Sequence, residues 1–198
     1  MIRWGRFAAA YAFLGVCAAV IAVVWRSGSP FVYPSPWLQL DAPASHSYSF
    51  ALGVVFGILV ALGTRLLVPR FAWARGLHQE LRPIARGISG TGILVVALLS
   101  ALAEELLFRG LLQPWLGLIP QALLFGVMHQ VRGRSRWVWV GWATLVGLAL
   151  GAIFELTGSL AGPLVAHALI NGLNLLYLKT HDPEPPRRSL GGLLDQQS

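Results

Sequence analysis

GILVVALLSALAEELLFRGLLQPW, residues 92–115, is a run of 24 residues in which apolar side chains are interrupted by three charges, Glu104, Glu105 and Arg109. As an α-helix it reaches about 36 Å, enough to cross a hydrocarbon core of roughly 30 Å. The rest of the chain has the same character. Of its 198 residues 56 % are hydrophobic and 12 % charged, against about 25 % charged in an ordinary soluble domain. That composition excludes a soluble globular protein, a disordered chain and a nucleic-acid binder. A single cysteine, Cys17, excludes an intrachain disulfide and a cysteine-cluster metal site.

Hydropathy and helix breakers divide the chain into six spans: Phe7 to Trp25, Tyr48 to Val68, Gly92 to Trp115, Ile119 to Val131, Trp137 to Leu156 and Leu160 to Leu178. The fourth is too short to cross alone. Short or irregular spans are tolerated only where protein buries them. Thirteen of the fifteen basic residues fall before span one, around the connection between spans two and three (Arg65 at the end of span two included), between four and five, or after six. The positive-inside rule then makes both termini cytoplasmic. Trp4, Trp25, Trp115, Trp137 and Trp139 fall near span ends, where an aromatic belt forms. The expected fold is an all-α polytopic membrane bundle of about six transmembrane helices.

Its organisation reads as two N-terminal transmembrane helices (1–70), an amphipathic cytoplasmic connection (71–91), a four-helix core (92–178) and a disordered cytoplasmic tail (179–198). The connection carries Trp73, Leu77, Leu81 and Ile84 among arginines and suits a helix lying on the inner membrane surface, with a plain loop as the alternative. The start of the chain faintly resembles a lipoprotein signal ending at Leu14-Gly15-Val16-Cys17. Valine before the cysteine fits such a signal poorly, so an uncleaved anchor is expected.

Ionisable groups inside spans are expensive and functional by default. Glu105 and Arg109 are four apart, share a helix face and can pair. Glu104 is turned about 100° from Glu105 and lacks an intrahelical partner. This suggests a division of labour: a structural Glu105–Arg109 pair, and a Glu104 free for chemistry or else part of one structural network. If the chain reverses near Leu116-Gly117, His129 comes to the depth of Glu104, with Phe125 one turn away walling the site. His167 and Asn171 again share one face. A pair of that kind also serves simply to hold membrane helices together. Three polar pairs on three helices point to one convergent site. No serine, cysteine or threonine occupies a nucleophile position in these motifs, and Cys17 and Ser100 lie in no nucleophile pattern. Direct attack by water, activated by a carboxylate and a histidine, is the expected hydrolytic route. Glu155, near the outer end of span five, is expected to snorkel or cap.

Glu104-Glu105-x-x-x-Arg109, Phe125-x-x-x-His129 and His167-x-x-x-Asn171, in that order, resemble the CAAX-protease and bacteriocin-processing family of intramembrane glutamate endopeptidases. The resemblance covers about residues 90–178. It implies that Glu104 and His129 activate the water, that His167 and Asn171 form the oxyanion hole, and that Glu105 and Arg109 support the site. A metal mechanism is the lesser alternative. Glu104, His129, His167 and Asn171 could ligate zinc as a set, but no His-Glu-x-x-His signature is present, and no cofactor is expected. The implied partners are the lipid bilayer and a membrane-embedded or lipidated peptide or protein. Compact size and arginine-rich loops fit a bacterial cytoplasmic membrane. The rivals are a non-proteolytic immunity or binding protein that keeps the fold, and a small transporter relaying protons, though neither repeated halves nor clearly broken helices are found.

Overall fold

The computed structural model describes residues 4–26, 28–131 and 133–183. Arg3, Arg132, Arg187, Arg188 and the expected disordered tail from 184 onward lie outside them. Seven helices account for nearly all of the described chain: α1 (Trp4–Arg26), α2 (Ala42–Arg70), α3 (Ala72–Arg86), α4 (Gly90–Leu116), α5 (Leu118–Met128), α6 (Arg136–Thr157) and α7 (Ala161–Thr180). Among the described residues there is no β-strand, and one isolated antiparallel bridge joins Val32 to Ser159. Helices α1, α2, α4, α6 and α7 are long and apolar enough to cross a membrane. The fifth is a shorter apolar helix of 11 residues, about 17 Å long. The all-α architecture expected from the sequence is therefore the observed one.

Local chemistry sets the helix ends. Asp41 caps α2 by accepting from the Ala44 N–H at 2.9 Å, and Ser89 caps α4 by accepting from Gly92 at 3.0 Å. Left-handed Gly117, at φ +86°, makes the sharp reversal between α4 and α5, and Gly158, at φ +78°, closes α6. Helix α2 starts at Ala42, six residues before the expected Tyr48. Hydropathy discounts this polar turn, yet the hydroxyls of Ser45 and Ser49 donate to the carbonyls of Thr157 and Ser159. Inside α4, residues Leu106–Leu112 widen into a π-helical turn, a feature that recurs at functional sites.

Small residues set the packing. Along α2 the buried positions Ser45, Ser49, Gly53, Gly57 and Ala61 recur every four residues, so the helix can lie almost backbone to backbone against α7. A Cβ on Gly53 would stand 2.2 Å from the Gly162 carbonyl oxygen. Helix α1 meets α4 in the same way, through Gly15 and Ala103. Straps brace both ends of the bundle. At one end the 28–41 connection pairs with the α6–α7 turn through Tyr33, Trp37, Leu38 and Leu160. There Glu155 neither snorkels nor caps: it is buried and accepts a hydrogen bond from the Tyr33 hydroxyl at 3.0 Å. At the other end the amphipathic segment is a helix, α3. Its Glu80 accepts from the backbone N–H groups of Arg134 and Ser135, and its Arg82 pairs with Asp182 at 2.8 Å.

Candidate active site

Three helices bring the charged and polar groups together near the middle of the bundle. Glu104 and Glu105 sit on α4 just before the π-helical turn, His129 follows the last turn of α5, and His167 lies in the second turn of α7. Reversal at Gly117 brings α5 back antiparallel to α4, which delivers His129 to the depth of Glu104. Glu104 Oε2 lies 3.3 Å from His129 Nε2 and 3.8 Å from His167 Nε2. Glu105 Oε1 accepts from Arg109 Nη1 at 2.8 Å and from His167 Nδ1 at 2.6 Å. The two carboxylates thus divide: Glu105 faces the arginine and one side of His167, while Glu104 faces both histidines.

The hydrogen bonds specify which ring nitrogens carry protons. His129 Nδ1 lies 2.7 Å from the Phe125 carbonyl oxygen, which can only accept, so Nδ1–H is the donor. A neutral His129 would then turn a bare Nε2 toward the Glu104 carboxylate, lone pair against lone pair. The approach is attractive only with a proton between them. Glu104 and His129 are in this sense one proton-holding unit.

Aromatic and amide groups complete the walls. Phe125 stacks 4.2 Å from the His129 ring and meets the Arg109 guanidinium at 4.5 Å and the Phe108 ring at 4.9 Å, centroid to centroid for the ring pairs. Arg109 also donates through Nη2 to the Gly147 carbonyl at 3.0 Å, and Gln113 does the same to Gly151 at 2.9 Å. Glu105 and Arg109 have no exposed surface, whereas His129 keeps 22 % of its side chain exposed. The cluster is partly open at His129 and at Asn171. Asn171 lies one turn beyond His167 and donates from Nδ2 to Ser100 Oγ at 3.0 Å. Among the described residues no group of three or more His, Cys, Asp or Glu side chains is arranged to hold a metal ion, and no step below passes through one.

Two members of this neighbourhood were not singled out from the sequence. Ser100 stands one turn before Glu104, a spacing that does place it on the same face. Tyr11 comes from α1, one turn from where Gly15 meets Ala103, and its phenol is near enough to Glu104 to interact with the carboxylate. The one signal for it is a phenol placed four residues before Gly15 in an otherwise apolar span.

Buried carboxylates and histidines converging within a bundle of spanning helices define a multi-pass membrane protein with a polar site inside the membrane. The segment holding that site matches a known family: residues 89–173 fit the family model described as Type II CAAX prenyl endopeptidase Rce1-like. The resemblance drawn from the three motifs thus holds over this stretch, which contains all of them. The chain is also similar to a Bacillus subtilis (strain 168) protein named "Uncharacterized protein YpbD", 40 % identical over 81 residues, covering 41 % of this chain and 42 % of that protein. The match therefore spans less than half of the length of that relative. No solved structure matches the chain.

Proposed function

We propose that the protein is an intramembrane endopeptidase that hydrolyses a peptide bond of a membrane-embedded or lipidated protein or peptide. The observation that carries this reading is the Glu104–His129 approach of 3.3 Å, where His129 keeps 22 % of its side chain exposed. Glu104 takes a proton from a water molecule whose oxygen bonds to the scissile carbonyl carbon, and the carbonyl π pair moves onto oxygen. Collapse of the tetrahedral species breaks the C–N bond, and the proton held between Glu104 and His129 passes to the departing amine. His167, carrying a proton on Nε2 as well as the Nδ1–H given to Glu105, and Asn171 serve the oxyanion. Asn171 has a second amide hydrogen for that purpose beyond the one given to Ser100. Glu105 and Arg109 hold His167 and the Phe125 wall in place. We place both termini on the cytoplasmic side of a bacterial cytoplasmic membrane, on the strength of the arginine distribution.

A paired cleavage assay tests the reading. Purified wild type and Glu104→Gln, in liposomes, meet prenylated and transmembrane peptides with and without a chelator. Cleavage by wild type alone, indifferent to chelator, is the expected result. Glu104→Gln should lose at least a hundredfold in turnover while staying folded, since a general base contributes roughly 10²–10⁴-fold. Turnover surviving in Glu104→Gln overturns the assignment of the base. Turnover abolished by chelator overturns the metal-free mechanism.

A further inference from the structure

Beyond His129 Nε2, which approaches Glu104 Oε2 at 3.3 Å, most donor groups around Glu104 have other partners. His129 Nδ1 serves the Phe125 carbonyl, and His167 Nδ1 serves Glu105. Arg109 gives Nη1 to Glu105 and Nη2 to Gly147, and Asn171 donates to Ser100. A further hydroxyl near enough to interact with Glu104 belongs to Tyr11, on a helix outside the matched segment 89–173.

The way α1 packs explains how a tyrosine gets there. Tyr11, Gly15, Ala18 and Ala22 follow at intervals of four, three and four, so they share one helix face. Gly15, Ala18 and Ala22 are buried, while Phe13, Val16, Val20 and Val24 on other faces are exposed. A Cβ on Gly15 would lie 3.2 Å from Ala103 Cα, so the two backbones nearly touch one residue before Glu104. One turn up the same face stands Tyr11, the only residue of these four long enough to reach across the gap. In a stripe otherwise built of glycine and alanine, that phenol is the one polar group on the face packed against α4 beside Glu104.

We infer that Tyr11 is a positioning residue: its phenol O–H donates to Glu104 and holds the carboxyl group with Oε2 turned toward His129 and His167. A glutamate side chain has three rotatable bonds, and a water-activating carboxylate must keep one orientation to be productive. Helix α1 thereby becomes part of the site instead of a membrane anchor alone. The contribution to turnover rests on the protease reading above; the placement of the hydroxyl does not.

Infrared difference spectroscopy of the full chain in liposomes decides the placement without any substrate. The carbonyl stretch of the acid form of Glu104 is the band missing from Glu104→Gln. Tyr11→Phe keeps the ring and removes the hydroxyl, so this band should move to higher wavenumber. Tyr33→Phe, which breaks a hydrogen bond to Glu155 instead, should leave it in place. A Glu104 band unmoved in a folded Tyr11→Phe protein overturns the proposal. With a cleavable peptide in hand, Tyr11→Phe should lower kcat about tenfold to a hundredfold, the usual range for a hydrogen bond to a charged group, with KM within about twofold. A displaced band with unchanged kcat overturns the positioning role. Failure of wild type to cleave any peptide would count against the protease reading, while the band still decides whether Tyr11 holds Glu104.

Discussion

Arg109 is a guanidinium with no exposed surface in the interior of a membrane bundle. Its environment is built to hold it: the Glu105 carboxylate at 2.8 Å, the Gly147 carbonyl at 3.0 Å and the Phe125 ring face at 4.5 Å. Removing one partner of such a pair leaves an uncompensated buried charge and costs about 3–5 kcal/mol, whereas replacing both by neutral groups is far milder. Arg109→Met should therefore depress folded yield and thermal stability in detergent, and Glu105→Gln added to it should restore much of both. Turnover should not return in the double variant. Glu105 also accepts from His167 at 2.6 Å, and a glutamine there cannot reproduce that charge-assisted bond. Recovery of stability and turnover together would show that Glu105 serves Arg109 alone.

Helix α3 works at the scale of a whole element. It lies across one end of the bundle, tied by Glu80 to the connection after α5 and by His78 and Arg82 to the end of α7, where both side chains reach the His181 carbonyl at 3.1 and 3.0 Å. His78 is 3 % exposed, and its ring packs edge-on against Tyr177 at 5.1 Å. Burial pulls the affinity of its imidazole for a proton below the ordinary value of 6.5, against a smaller opposing effect of the carbonyl hydrogen bond. A histidine depressed in this way contributes fully above pH 6.5 and loses its contribution as pH falls below that value, because the released imidazole binds the proton more readily. Thermal unfolding in detergent should accordingly show a drop in stability on acidification from pH 6.5 that His78→Gln lacks. The glutamine keeps an N–H for the His181 carbonyl and cannot titrate. Identical profiles for both proteins would assign the acid sensitivity to another group.

For the whole molecule, the distribution of arginines is what the proposed orientation rests on. In a chain whose native Cys17 has been replaced by alanine, Gln39→Cys lies in the 28–41 connection and Arg86→Cys at the end of α3, and both positions are exposed. A membrane-impermeant maleimide added to intact bacterial cells should label Gln39→Cys nearly completely and Arg86→Cys only after permeabilisation; the reverse pattern would invert the topology. The spans themselves are legible in the sequence because a membrane demands about 20 apolar residues at a time. The ends are less so. Hydropathy misses the first turn of α2, where serine hydroxyls serve backbone carbonyls, and runs past Met128, where the helix gives way at His129. In the site, the Glu105–Arg109 pairing follows from spacing on one helix. The approach of His129 to Glu104 follows from counting residues on either side of a reversal. Tyr11 and Ser100 escape such counting, since one contact needs the close packing of α1 on α4 and the other the packing of α7 on α4. The π-helical turn escapes it too, because no residue pattern along Leu106–Leu112 announces it.

That turn carries a consequence best put in the language of insertions and deletions. A π-helical turn is what an α-helix becomes when one residue is added and both flanking segments keep their places. Between Glu105 and Gln113 the chain is in effect one residue longer than a plain helix requires. Were the same residues to wind as a plain α-helix with none lost, the two carboxylates would swing by about 100° relative to Gln113 and the reversal beyond it. Every motif residue would still be present, and Glu104 would no longer face His129. The geometry of the site is thus encoded in a length of chain as much as in the identity of its residues.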